Sequence, residues 1–355
     1  MHSSTVFHIL YEQEITDYWI HTQLMELKEI CELLNIDPEG FTDLHITRNF
    51  SSFVAVSEGK VIAVTDPRMK HCPLFSMLYK KNMPSGTKGL KQAIQKAVES
   101  KIEQFGSFTP RRQLIRNDIA VPFGASEMMM YALREKNIDA AVTVCDGAGT
   151  VVANEPSLVQ GIGARMNGLF YTTPIPEVIS KIEHQGGKVV FPEHAQIDQI
   201  AGLKAAVRKG YKKIAVTING FTNEDLSLIQ KIEKDFSVTA VCIIVCTTGV
   251  TEERGDLIAQ FSDLVWACGS ASVRTKAGRV SILQITLAIP VFVLTEKGLN
   301  FVSSYCSDPD IITGLSPEKQ YLIAKNAHGT PLTMGTYSAY LTESRLPVRS
   351  PREPK

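Results

Sequence analysis

The sequence predicts an α/β fold: a mostly parallel sheet flanked by helices, Rossmann-like and doubly wound, joined to a smaller α+β N-terminal region. Two observations predict it. From about residue 124, apolar segments of about five residues alternate with amphipathic segments at helical spacing, which is the rhythm of βαβ units. Short apolar strands between such helices imply a parallel sheet covered on both faces.

The elements follow in order. Residues 15–35 place apolar side chains at helical spacing behind Thr16, a residue suited to cap a helix N-terminus. "SSFVAVSEGKVIAVTDP" (51–67) reads as a β-hairpin turning at Ser57–Lys60. A short helix is expected over 71–81, opened by Pro73, and a long amphipathic helix over 89–106, ended by Gly106. The alternating region then runs from "GASEMMMYALREKN" through the strands "DAAVTVC", "LFYTT", "KVVF", "KKIAVTI", "TAVCIIVC", "LVWAC" and "PVFVLT", with helices between most of them. A last helix is expected near 297–305, and the polar, Pro-rich "ESRLPVRSPREPK" reads as a disordered tail. Three regions result: 1–120, α+β with the hairpin; 121–306, the α/β domain; and 307–355, an extension and tail.

Composition narrows the function. A chain of 355 residues with 44% hydrophobic and 21% charged residues is ordinary globular material. Its 37 basic and 37 acidic residues cancel, so no overall field recruits nucleic acid or an anionic membrane. The first residues lack the basic and apolar regions of a signal peptide, and the most apolar stretch, 280–295, contains Gln284 and Pro290 and is short for a membrane span. A cytoplasmic protein is expected. Seven cysteines, far apart, form no disulfide framework, no CxxC and no zinc-ribbon spacing.

In parallel α/β sheets, ligands bind beyond the carboxyl ends of the strands. Those ends here read "CDGAGT", "TTPIP", "TINGFT", "CTTG", "CGSAS" and "TEKG", rich in thiols, hydroxyls and glycine. Cys145 and Asp146 are therefore the candidate catalytic pair, as a thiol nucleophile or ligand and a base. Gly147, Gly149, Thr172, Thr173 and Ser270 would surround a substrate, which Arg111 and Arg112 would grip by a carboxylate or phosphate. Two readings of "CDGAG" stay open: an anion-binding nest, or the turn of a hairpin between "AVTVC" and "TVVA". Cys242 and Cys246 are about 13 Å apart if on one strand, too far for one metal, so Cys242 is expected in the core. The histidines other than His71, including His45, form no recognisable spacing.

The ordered set "HCPLF", "FTPRR", "VPFGASE", "CDGAGTVV", "VQGIGARMNGL", "TTPIPEVI", "YKKIAVT" and "IPVFVLTEKG" resembles the methanogenesis marker protein 8 family over roughly residues 50–300. That resemblance implies anaerobic metabolism linked to methyl-coenzyme M chemistry or its cofactors, without supplying a mechanism. In that setting the cysteines suggest an iron–sulfur cluster or other soft metal on Cys72, Cys145 and Cys268, with Cys246 in reserve. Three functions compete. The first is a metal- or thiol-dependent enzyme acting on a small anionic metabolite. The second is a binding or maturation factor for a larger anaerobic enzyme or its cofactor, and the third a nucleotide-binding regulator.

Overall fold

The computed structural model describes residues 27–67, 86–166, 168–325 and 327–349. The helix expected over 71–81, and Cys72 with it, lies outside them, as does most of the helix expected over 15–35. Helix α1 (Leu27–Leu34) is the described end of the latter.

Strands β1 (His45–Asn49), β2 (Ser52–Ser57) and β3 (Lys60–Val64) form an antiparallel meander. The hairpin turns where expected, at Glu58 and Gly59, both with positive φ (50° and 68°), the geometry of a two-residue turn between twisted strands. Alternate residues of β2 face opposite ways. Val54 and Val56 pack under helix α2 (Gly86–Phe105), whose Leu90, Ile94, Ala97, Val98 and Ile102 recur at helical spacing, while Phe53 and Ala55 pack with Ile30 and Leu34 of α1. Gly106, with φ of +64°, ends α2.

The chain then builds a second sheet. Its next elements are α3 (Ala125–Arg134), β4 (Ala140–Cys145), β5 (Gly149–Ala153), α4 (Pro156–Gly163), β6 (Gly168–Thr172), α5 (Pro176–His184), β7 (Lys188–Val189), α6 (Gln199–Arg208) and β8 (Lys213–Asn219). There follow α7 (Ser227–Phe236), β9 (Thr239–Val245), α8 (Glu252–Phe261), β10 (Leu264–Trp266), α9 (Ala271–Val280), β11 (Leu283–Ile285), β12 (Val291–Val293), α10 (Glu296–Ser303), α11 (Pro309–Thr313), β13 (Tyr321–Ala324), β14 (Thr330–Met334) and β15 (Tyr337–Glu343). Helices cover both faces of this sheet, each over its own apolar layer. Strand β6 leaves it and pairs instead with β1, completing the small sheet in the order β3-β2-β1-β6.

The expectation of a mostly parallel, Rossmann-like sheet is overturned. The large sheet runs β14-β15-β13-β11-β12-β10-β9-β8-β4-β5-β7, and only four neighbouring pairs are parallel: β13/β11, β10/β9, β9/β8 and β8/β4. The other six are antiparallel. The cause is local. A parallel pair needs a crossover of a dozen residues or so, whereas β4 and β5 are joined by residues 146–148 alone and β14 and β15 by a tight turn at Gly335. What remains of the expected architecture is a central parallel block, β4, β8, β9 and β10.

The C-terminal segment is docked as far as Val348. Leu346 is buried, Val348 N–H donates to Gln284 Oε1 (2.8 Å), and the fully buried Gln284 amide donates back to the Val348 carbonyl (2.8 Å). Removing residues from Leu346 onward is expected to cost about 3–5 kcal/mol, from one buried leucine and the Gln284 Oε1 left without its donor, read as a lower urea midpoint. An unchanged midpoint would show this contact to be idle.

Candidate functional site

Beyond the carboxyl ends of the central parallel strands lies a cavity of about 1370 Å³, between the large sheet and the edge of the small one. It is lined by the ends of β8 (Asn219), β9 (Val245, Cys246) and β10 (Trp266, Cys268), and by the first turn of α6. The small sheet contributes Arg48–Ser51 and Gly168–Phe170. Its wall is mainly apolar, with Arg48, Arg165, Lys204 and Lys325 as cations and Glu127, Asp198 and Glu224 as carboxylates. Glu127 is committed: its carboxylate accepts from the Ala120 and Val121 N–H groups, Ser126 and Gln160. Asp198 caps α6 through the Ala201 N–H at 2.8 Å. Burial pushes the Glu224 carboxyl up, despite a hydrogen bond from the Thr222 hydroxyl.

Backbone strain concentrates around this space. Among the described residues eleven non-glycine residues have positive φ, and five of them line the cavity: Phe50 (53°), Ser51 (73°), Arg165 (62°), Cys246 (57°) and Thr286 (64°). A β-branched residue such as Thr286 rarely adopts this region, and such residues persist only where the surroundings over-determine them. Arg165 is further placed by its guanidinium, 5.2 Å above the Phe105 ring. Lys101, half-buried on α2, lies within electrostatic range of Cys246. Burial pulls its ammonium down to about 8; Cys246 and Asp146 oppose the shift, and Arg165 and Arg112 add to it.

The structure brings together only part of the expected site. Cys246 and Cys268 reach the cavity; Cys145, Asp146, Gly147, Gly149, Arg111, Arg112, Thr172, Thr173 and Ser270 do not. The hairpin reading of "CDGAG" is the observed one, with Cys145 paired to Gly149 across the turn. Asp146, fully buried, accepts from the Phe108 N–H at 2.5 Å and from Arg112 Nε at 2.9 Å. The Arg112 fork is filled by the Gln113 and Ile162 carbonyls at 2.6 and 3.0 Å. These two residues are thus a satisfied internal ion pair, with no capacity left for a substrate. Cys145 is sealed in the core, where burial first and the Asp146 carboxylate second raise its thiol well above the ordinary range, and it has no access to the cavity. Ser270 caps α9 through the Val273 N–H at 3.2 Å, and Arg111 is exposed on the surface. Cys242 is core, as expected.

Thr172 serves a strut rather than a site. Its Oγ1 accepts from the Gly147 N–H at 2.7 Å and lies 2.6 Å from His45 Nδ1, while His45 Nε2 lies 2.7 Å from Asp43 Oδ1. A carboxylate beside Nε2 places the ring proton there, so Nδ1 accepts from the threonine hydroxyl. Thr173 Oγ1 also reaches Asp43, at 3.3 Å, so this chain ties β1 and β6 to the turn after β4.

Among the described residues no group of three or more histidine, cysteine or acidic side chains is placed to hold a metal ion. Among the described residues Cys246 and Cys268 are the thiols at the cavity; Cys145 lies in the core and does not join them, and Cys72 lies outside the described residues. Alkylation of the native protein should therefore mark Cys246 and Cys268 at least about tenfold faster than Cys31, Cys145, Cys242 and Cys306. Peptide mass spectrometry after a timed iodoacetamide pulse would read this, and early labelling of Cys145 would contradict the buried hairpin.

Sequence reasoning missed Lys101, Arg48, Arg165 and Glu224. Lys101 reads as part of an amphipathic helix, and only the tertiary structure brings it within electrostatic range of Cys246. Asn219 and Cys246 were within reach, because both stand at strand ends. Among the described residues no helix is long and apolar enough to cross a membrane.

Comparison with known proteins places the chain without assigning it an activity. Residues 45–306 match the model of a family described as uncharacterized proteins conserved in archaea, DUF2099. The chain is 40% identical over 258 residues to the uncharacterized protein MJ0054 of Methanocaldococcus jannaschii, a match covering 72% of this chain and 88% of that one. No solved structure matches. Given the match from β1 to the end of α10 and beyond, the chain belongs to this archaeal DUF2099 family.

Proposed function

We propose that the protein is an enzyme acting on an anionic small molecule enclosed in the cavity, with the Cys246 thiol as the group that meets the reacting atoms. The observation that carries this reading is the clustering of left-handed, non-glycine backbone around one cavity, with Cys246 among those residues. Strain of this kind is retained where it holds a group in a working position. Arg165 and Arg48 supply the charge that an anionic ligand needs, and the apolar wall accepts its body. Within the archaeal family, the reading takes the chain as a methanogenesis marker 8 protein of the cytoplasm, serving anaerobic metabolism.

The test is retention followed by conversion. The purified protein is equilibrated, without oxygen, with the small-molecule extract of an anaerobic archaeon, and retained compounds are read by mass spectrometry. An anionic compound held at about one per chain, lost in Arg165→Ala, and consumed by the wild type at least about 100-fold faster than by Cys246→Ala is the expected result. Conversion that survives Cys246→Ala would overturn the thiol assignment.

A second reading is favoured by size. The cavity exceeds the roughly 300–1,000 Å³ of ordinary small-molecule sites, which suits a cofactor held for delivery to a larger anaerobic enzyme. A compound retained but left unchanged by the wild type would support that reading over the enzymatic one.

A further inference from the structure

The reading of Cys246 as the reactive thiol can be deepened, because its neighbours specify a reaction class. Strands β8 and β9 are parallel neighbours in register, Asn219 opposite Val245, so Asn219 and Cys246 end adjacent strands side by side. Gly168 of β6 faces both. A methyl group at Gly168 would stand 3.1 Å from Asn219 Nδ2 and 3.3 Å from Cys246 Sγ, so both side chains converge over one point of the small sheet.

The Asn219 amide has a fixed orientation. Its Oδ1 accepts from the Phe221 N–H at 3.0 Å, which leaves Nδ2 as the inward-facing end, and Nδ2 is buried with no hydrogen-bond partner among the described residues. A buried donor without an acceptor is costly to maintain, by about 1–3 kcal/mol, and it lies on the wall of the cavity next to a thiol. An oxygen atom of a ligand would satisfy it. Lys101 lies within electrostatic range of Cys246, in surroundings that disfavour its charged form, with Arg165, Asp146 and Arg112 as the other charged groups that act on it.

Nucleophile and amide donor thus meet at one end of the cavity, and the Lys101 amine lies within electrostatic range of the thiol; together these are the three parts required for acyl transfer. We propose that Cys246, Lys101 and Asn219 form a thiol acyl-transfer centre, whose substrate is an ester or thioester of an acid carrying a second anionic group, held by Arg165. The neutral Lys101 amine takes the Cys246 proton as Sγ bonds to the acyl carbon. The carbonyl electron pair moves to oxygen, where Asn219 Nδ2–H donates to it. Collapse re-forms the carbonyl and breaks the bond to the leaving thiolate or alkoxide, which receives the proton from the Lys101 ammonium. Water, losing a proton to Lys101, then cleaves the acyl-cysteine into the free acid and the thiol.

The experiment compares two reagents on the same thiol, because only one of them develops an oxyanion. The full chain is treated with the acetyl thioester of N-acetylcysteamine or with iodoacetamide, and modification of Cys246 is followed by peptide mass spectrometry from pH 6 to 10, with thermal unfolding of every variant alongside. In acid-quenched early time points wild type should carry one acetyl group on Cys246, formed at a rate rising through about pH 8 and later released as acetate. Asn219→Ala should slow acetylation about 100-fold and leave alkylation within about threefold. Lys101→Met, with Lys101→Arg as the charge-keeping control, should slow both about 100-fold near neutral pH and remove the inflection near 8. If iodoacetamide labels Cys246 readily but the thioester does not, or if Asn219→Ala affects both reagents equally, the acyl-transfer centre is refuted while the thiol reading of the cavity stands. If neither reagent modifies Cys246 faster than the core cysteine Cys242, both fall.

Discussion

Asp146→Asn and Arg112→Met are each expected to destabilise the protein by about 3–5 kcal/mol, a fall in melting temperature on the order of 10 °C. Each variant leaves the other partner's charge buried and unpaired, which is the expensive way to break a buried ion pair. Both side chains are almost wholly enclosed, and each oxygen of Asp146 has its own donor, Arg112 Nε and the Phe108 N–H. Replacing both partners by apolar residues of similar volume should recover part of the loss, since no orphaned charge then remains.

The pair also sets an acid limit. Burial pushes the Asp146 carboxyl up, but Arg112 and the Phe108 N–H outweigh it, and the folded-state value lies below the ordinary 3.8. The unfolded chain therefore binds this proton first as the pH falls. The pair's contribution is whole above about pH 5 and drains away as the pH drops through 3.8 toward the folded value. Asp43, lowered chiefly by His45 against its own burial, acts with the same sign. Urea midpoints of wild type and Asp146→Asn between pH 3 and 7 would read both effects. A variant with wild-type stability that had lost only ligand binding would return Asp146 to the catalytic role first expected of it.

Gly149→Ala is expected to cost about 2–5 kcal/mol. Gly149 has φ of +66° in the first pair of the β4–β5 hairpin, and an added methyl would run into the backbone carbonyl of Ala195. Neither contact is the far end of a flexible side chain, so the segment carrying Ala195 and Gln196 must move. That segment leads into α6, and the Thr150 N–H donates to the Gln196 carbonyl at 3.0 Å, so the hairpin holds the first turn of α6 against the cavity. The variant should thus lose stability and also disturb the cavity wall at Asp198 and Gln199. Circular dichroism melts would give the first effect, and accessibility of Cys246 to alkylation the second. A melting temperature within about 1 °C of wild type would show that the 195–198 segment yields freely.

Much of the secondary structure was legible in the order of residues. Apolar runs bounded by helical periods located most strands of the large sheet, and "PVFVLT" is observed as β12. Strand direction was not legible, because a run such as "TVVA" has the same composition whether it runs with or against its neighbour. The β4–β5 connection decided that point, through its length rather than its composition. The strands β13 to β15 were missed, since their apolar alternation is short and their partners, such as β11, are distant in sequence.

For the site, the sequence by itself determined where to look: the carboxyl ends of parallel strands, with Cys246, Cys268 and the Asn219 segment among them. It could not rank those ends. Cys145 and Cys246 both close apolar strands, yet the first is buried in the apolar layer that also holds Ile175 and Ala148, while the second turns through a left-handed residue into the cavity. Which of two equivalent thiols is sealed and which is open depends on what packs over each strand end. That is settled by contacts between residues far apart in the chain, Arg112 and Phe108 over Asp146, and Gly168 beside Cys246 and Asn219. Short-range periodicity decides which segments form strands and helices; only the tertiary structure, through burial and charge pairing, decides which of their polar ends are left to do chemistry.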